Sequence, residues 1–472
     1  MGVNSPIFFV EIRTKIVYNE KEVNFMEYNN KTVNTSLGEI TCREYEDRLE
    51  FRGLRYANAK RWEYPERVDS YDGDFDATEY GPCCYQERAY TVDSETNPWY
   101  WKEFREGQTF TYSEDCHFLN IIAPKDAKNC PVLIYIYGGS FTGGSSDEGH
   151  LSGVSFAQNG IVWVAMNYRI NCFGFPNHPE LTDAQGRCGN FGLYDQVCAL
   201  EWIKDHISEF GGDPNNMTLS GESAGAMSVD LIMSTDRVKA IGLKGAVLMS
   251  GAGIQRAVAK PKSPEKGAKY WNQVMQNAGV SSMKELKELP HEELYNAWRK
   301  TYDAQKMGMT EVLPSCDGVL ITKENFKLKT VPTEYPQVYS VTMNDMFPFA
   351  LLKVNQMCAK KGSRNGNKVW MANFARALPG DNVGAWHASD LLYVFKTQEQ
   401  NWRPWEDIDR TISDQMNQSM IAFVKTHDPN CDAIPHWEPG WKSAMRFCEN
   451  TQMMPWDKKQ LWNNTIHHEG PI

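Results

Sequence analysis

The chain lacks several features, and each absence removes a class of protein. No stretch approaches the roughly 18 consecutive apolar residues of a membrane span, so no spanning segment is expected. Basic residues are in the minority: 49 Lys and Arg stand against 60 Asp and Glu, a formal net charge of −11. Phosphate binding needs a basic face, so no nucleic-acid partner is expected. The 12 cysteines are scattered and include no C-x-x-C pair, which removes the usual zinc signature. No basic stretch precedes the run Ile7-Phe8-Phe9-Val10, and Glu11 ends it. This start reads as structure rather than an export signal. Pro6 stands where a myristoylation signal needs Ser or Thr. The expectation is a cytoplasmic protein with free thiols. No internal repeat and no long polar linker interrupts the chain.

What is present belongs to a globular α/β protein. Of 472 residues, 41% are apolar and 12% aromatic, enough for a large core. Residues 1–56 read as a β-rich portion, with apolar and polar residues alternating from Val33 to Tyr56. Ala57 to Glu114 is loop-rich, and its cluster Trp99-Tyr100-Trp101 with Phe104 is expected to pack under a long loop, with substrate contact as the alternative. Val132–Tyr137 and Ile161–Met166 are near-continuous apolar runs, as in strands covered on both faces. Leu193–Phe210 has helical periodicity and stops at Gly211-Gly212. Gly245–Met249 reads as another strand, with Gln337–Val341 and Val369–Phe374 as the last two. Residues 255–330 form a polar excursion of cap type, Ile412–Lys425 a helix, and the end a Trp- and Asn-rich tail. A single domain over 1–472 is expected.

Met217–Met233 carries the strongest chemical signal. The apolar run Met217–Ser220 leads into Gly221-Glu222-Ser223-Ala224-Gly225 and then a helix-forming segment. A serine between glycines in a strand–turn–helix context is placed to attack a carbonyl, with the Ala224 N–H and the helix start facing the oxyanion. A hydroxyl needs a base to take its proton, and the base needs an acid to fix its tautomer. Among the later histidines, His427 sits in a turn and reads as solvated, and His467 and His468 lie in the tail. His387, in Gly384-Ala385-Trp386-His387-Ala388-Ser389-Asp390, follows a flexible loop and precedes an apolar segment that can pin it.

With these residues in place, the chain resembles the type-B carboxylesterase/cholinesterase family from about Phe51 to Trp437. The matching motifs are FRGLRYA, Ser113-Glu114-Asp115-Cys116, Tyr137-Gly138-Gly139-Ser140-Phe141, Asn167-Tyr168-Arg169, GNFGLYDQ, FGGDP, GESAG and GAWHASDLLYVF. The resemblance implies an α/β-hydrolase fold: a mostly parallel sheet flanked by helices. The short stretch between Asp345 and His387 implies a reduced cap and an open pocket. It further implies Ser223 as nucleophile, His387 as base and Asp345 as acid where the family usually has Glu. Gly139, Ser140 and Ala224 would form the oxyanion hole, and Glu222 would line the substrate site. Asp317 resembles a structural Asp-Gly, and Asp390 would cap the following segment. Arg61–Glu114 and Arg169–Asp195 are expected as buried ion pairs, and Cys84 and Cys116 as a close, reduced pair. The implied reaction is hydrolysis of small-molecule esters without metal or organic cofactor. A cholinesterase-like esterase and a non-catalytic binding protein of the same fold are the alternatives.

Overall fold

The structure, a computed structural model, describes residues 27–87, 98–254, 262–305, 311–327, 335–345 and 348–456. Parts of the 1–56 and 255–330 readings, and His467 and His468, lie outside these residues. The apolar runs supply the centre of one large sheet. Its principal strands are β1 (Asn29–Thr35), β2 (Gly38–Glu44), β3 (Arg48–Arg55), β4 (Phe118–Pro124), β5 (Cys130–Ile136) and β6 (Val162–Met166). They continue with β7 (Gly212–Glu222), β8 (Leu243–Met249), β9 (Gln337–Thr342), β10 (Val369–Phe374), β11 (Ser443–Phe447) and β12 (Gln452–Pro455).

In space the order is β1-β2-β3-β4-β6-β5-β7-β8-β9-β10-β11-β12. From β6 through β11 every neighbouring pair is parallel. β1 to β4 and the final β12 add antiparallel edges. Central strands such as β9 and β10 are buried along their whole length, as a sheet covered on both faces requires. The parallel centre places the C-terminal ends of β5, β7, β9 and β10 along one rim, where ligands of open α/β sheets bind.

Two expectations about the late chain are corrected. Val369–Phe374 is not the last strand, because the tail supplies β11 and β12. These are short, Met-containing strands without β-branched residues, so their composition gave little β signal. The helix expected from Ile412 begins at Asp407, where Glu406 and Asp409 form a capping box ahead of the first apolar turn. The expected helix Leu193–Phe210 is an α-helix over Phe191–His206, tightened into a 3-10 turn at Ile207–Phe210 and ended by left-handed Gly211. Among the described residues no helix is long and apolar enough to cross a membrane.

The two expected ion pairs differ in depth. Arg169 and Asp195 are both fully buried, with Nη2 donating to Oδ1 at 2.7 Å and Nε to Oδ2 at 2.8 Å. His117 Nε2 lies 3.2 Å from the same carboxylate. Burial opposes the Asp195 charge, but Arg169 and His117 outweigh it and hold the carboxyl below its ordinary range. Breaking such a pair costs about 3–5 kcal/mol by stranding a charge. The Arg61–Glu114 pair is only partly buried, a correction to the expectation. Arg61 also donates to the carbonyls of Lys287 and Leu289, tying the Asn58–Pro65 turn region to the 283–291 helices.

All 12 cysteines are free. Cys84 and Cys116 are fully buried, and burial together with the neighbouring Cys84 thiol pushes Cys116 up. Protein purified without oxidant should therefore show these two thiols unreactive when native and reactive after denaturation. Thiol titration with peptide mapping checks this, and a Cys84–Cys116 disulfide in the mapped peptides would contradict it.

Candidate active site

β7 ends at Glu222 and a helix (α1, Ala224–Met233) begins immediately after Ser223. Ser223 bridges them at φ 54 and ψ −122, a conformation that non-glycine residues rarely adopt and that exposes the side chain at the turn. Glycines make the turn possible. A Cβ on Gly225 would lie 2.0 Å from the Ile136 carbonyl oxygen, and one on Gly221 would lie 2.5 Å from the Gly225 carbonyl carbon. The Ser223 N–H donates to the Met249 carbonyl at 2.9 Å, fixing the turn to β8.

The Gly138-Gly139-Ser140 turn follows β5 and lies against this elbow: a Cβ on Gly138 would be 2.7 Å from the Glu222 carbonyl oxygen. Ser140 and Phe141 both have left-handed backbones, at φ 57 and φ 58. For an L-residue this costs about 1–2 kcal/mol. Hydrogen bonds on either side hold the turn: Thr142 and Gly143 donate to the Gly139 carbonyl, and Asn171 donates to that of Phe141. Ser140 thus holds a left-handed backbone, a conformation glycine adopts at lower cost.

The predicted acid and base meet. Asp345 lies just beyond β9 with its side chain fully buried, and His387 Nδ1 is 2.9 Å from Asp345 Oδ1. Thr342 Oγ donates to the other carboxylate oxygen at 3.0 Å. Burial opposes the Asp345 charge, but His387 and these hydrogen bonds outweigh it and lower its pKa. Asn344, which the sequence reading passed over, joins the two loops. Its N–H donates to the Ala385 carbonyl at 2.9 Å, and its side-chain oxygen accepts from the Ala385 N–H at 2.9 Å.

Ser223 and His387 line one cavity of about 100 Å³, together with Gly139, Ser140 and Glu222. The hydrogen bonds of the described residues do not join Ser223 to His387. His387 Nε2 instead stands 3.2 Å from Glu222 Oε1. A carboxylate attracts the imidazole more strongly than a neutral hydroxyl does. Burial raises the pKa of Glu222, with Asp390, Asp345 and Glu148 adding to it against the pull of His387. Burial opposes charging His387, but Asp345 and Glu222 outweigh it and favour the imidazolium.

The aromatic cluster does not simply pack under a long loop, as expected: two of its rings flank this cavity. It begins a helix at Pro98–Phe104. Tyr100 and Phe104 line the cleft, and the Tyr100 hydroxyl donates to the His387 carbonyl at 2.8 Å. Both rings also pack on Trp386, with centroids 5.1 and 5.4 Å away. The helix is anchored by Glu103, which accepts from Arg403 Nε at 2.6 Å, both side chains being fully buried. Periodicity could not reveal this role, because the partners are distant in sequence.

Three other expectations have mixed outcomes: the contacts of Asp317 agree with a structural role, and the readings of Asp390 and His427 are corrected. Asp317 accepts the Val319 and Ile321 N–H groups at 2.9 Å each, closing its own turn. Asp390 stands at the N-cap position before the Leu391–Val394 helix but makes no side-chain cap; its carboxylate lies 3.4 Å from Ser340 Oγ. Burial raises its pKa to about 6. His427 is not solvated: it is half-buried as the left-handed terminus of the Asp407–Thr426 helix, and burial together with Lys244 lowers its pKa.

The carboxylesterase family model matches residues 29–361 and 343–465. The chain belongs to the carboxylesterase family. Within it, a para-nitrobenzyl esterase from Bacillus subtilis is 30% identical over 300 residues, covering 62% of this chain and 58% of the relative. A fumonisin B1 esterase from Sphingopyxis macrogoltabida is 36% identical over 204 residues, 42% of this chain and 35% of that one. The matches thus span from about a third to over half of these relatives' lengths. Among solved structures, a Geobacillus stearothermophilus carboxylesterase superposes with TM-score 0.76 at 25% identity, covering 92% of this chain and 99% of the other. A PNB esterase superposes with TM-score 0.76 at 23% identity, covering 93% of this chain and 100% of the other. The α/β-hydrolase fold and the family resemblance read from the motifs therefore agree with these comparisons.

Proposed function

We propose that this carboxylesterase-family chain hydrolyses small-molecule carboxylic esters through an acyl-enzyme, as one α/β-hydrolase unit. The observation that carries the reading is the Asp345–His387 hydrogen bond beside Ser223 on a strained strand–helix turn. Ser223 Oγ attacks the ester carbonyl while His387 Nε2 takes its proton. For this step Nε2 exchanges Glu222 for Ser223 Oγ, both of which line the same cavity. The N–H groups of Gly139, Ser140 and Ala224 receive the oxyanion. His387 then protonates the leaving alcohol, and water releases the acyl group by the reverse proton path. No metal or organic cofactor is required, and buried free thiols suit a reducing compartment such as the cytoplasm.

A fluorophosphonate probe and p-nitrophenyl butyrate test the reading. The probe should add one label, mapped to the peptide holding Ser223, and labelled protein should no longer cleave the ester. A label elsewhere, or cleavage surviving stoichiometric labelling, would refute it.

The pH profile gives a second test. His387 works as base only when neutral, and the Glu222 charge favours its protonated form. Glu222→Gln removes that charge and lowers the His387 pKa. The acidic limb of kcat/KM should therefore move to lower pH in the variant. An unmoved or upward-shifted limb would contradict the pairing.

A further inference from the structure

Three charged or ionisable side chains in the cleft have no part in the proposed acyl-transfer steps. Arg105, Glu148 and His150 line the same cavity as Ser223 and His387. Glu148 stands between the other two: Oε1 lies 3.8 Å from Arg105 Nη2, and Oε2 lies 3.6 Å from His150 Nε2. Its side chain is 8% exposed and that of His150 is 6% exposed. The His150 ring is held against Phe104, with centroids 3.9 Å apart. Glu148 is close enough to Glu222 to contribute to that residue's raised pKa, and Glu222 faces His387 Nε2. All three line the cavity that also holds Glu222, the residue His387 Nε2 faces at 3.2 Å, so they share the space into which the nitrogen that would protonate the departing oxygen points.

We propose that Arg105, Glu148 and His150 select esters whose leaving alcohol carries further hydroxyl groups, as in partial esters of polyols. This inference rests on the ester-hydrolase reading of the same site. A carboxylate has about four acceptor positions, and Arg and His supply donors. A hydroxyl both donates and accepts, so it can donate to Glu148 while accepting from Arg105 or His150. An ammonium would gain from Glu148 but meet Arg105. An alkyl chain would pack against three polar side chains and return no hydrogen bond, an arrangement that discriminates against the apolar analogue.

The test compares glycerol monobutyrate with propyl butyrate, which share the acyl group and the three-carbon alcohol and differ only in two hydroxyls. For the wild-type chain, kcat/KM should favour the glycerol ester by about tenfold or more. In Glu148→Ala the ratio should collapse towards one, whichever way the absolute rates move. Glu148→Gln, which keeps the shape and removes the charge, should lie between. A wild-type ratio near or below one overturns the proposal, and this measurement needs no variant. A ratio unchanged in a folded Glu148→Ala protein overturns it as well. Turnover of propyl butyrate without preference would leave the esterase reading standing and remove only this inference. Failure to cleave either ester, or p-nitrophenyl butyrate, would remove both.

Discussion

Ser223→Ala is expected to lower kcat to within reach of the uncatalysed background, a loss of about a millionfold. In the proposed mechanism the hydroxyl is the atom that joins the acyl group, and no neighbouring group replaces it: Glu222 is directed to His387 and Ser140 would contribute through its backbone. The variant should fold, because the turn is held by the Ser223 N–H bond to Met249 and by close backbone contacts of Gly221 and Gly225, none of which uses the side chain. Alanine at φ 54 carries the same backbone cost as serine. The measurement pairs single-turnover hydrolysis of p-nitrophenyl butyrate with thermal melting. Residual turnover at even one per cent of wild type, in protein free of contaminating esterase, would rule out Ser223 as nucleophile.

Asp345→Asn should lower kcat by about a thousandfold or more, with a modest change in KM. The asparagine amide can present a donor where Nδ1–H needs an acceptor, which turns the imidazole to the wrong tautomer. Asp345 reaches Nδ1 at 2.9 Å from its own loop, so the shorter side chain is matched to the local backbone. Asp345→Glu therefore has to push a methylene into a fully buried site, and it should impair rather than improve catalysis. Asp317→Asn is the informative control. Its carboxylate serves the Val319 and Ile321 amides, so the substitution should reduce melting temperature more than kcat. A near-normal kcat in Asp345→Asn, with the loss appearing in Asp317→Asn, would overturn the assignment of the acid.

The parts legible in the sequence are those governed by local pattern or by motif. β10 lies where the run Val369–Phe374 places it, because a strand covered on both faces is apolar throughout. The elbow at Ser223 was legible because its glycines are imposed by backbone contacts within a few residues and with the adjacent strand. The Pro348–Arg364 helix was not noted, since its polar face and modest apolar stripe compete with the turn signals around it. Tyr100 and Asn344 escaped for a different reason: each acts through a hydrogen bond to the loop carrying His387, across 287 residues in one case. The Glu222–His387 contact was likewise invisible. Sequence order assigns the base to the serine, whereas the Glu222 carboxylate stands 3.2 Å from its Nε2.

The Tyr100–His387 bond has an evolutionary consequence. One residue both lines the cleft and restrains the loop carrying the proposed base. A substitution that reshapes the wall to admit a new ester also loosens the base, so breadth of substrate and speed cannot be adjusted independently at this position. Selection for new substrates should therefore favour changes on the opposite wall first. Variants at Tyr100 should persist only in lineages that restore the tether from another side.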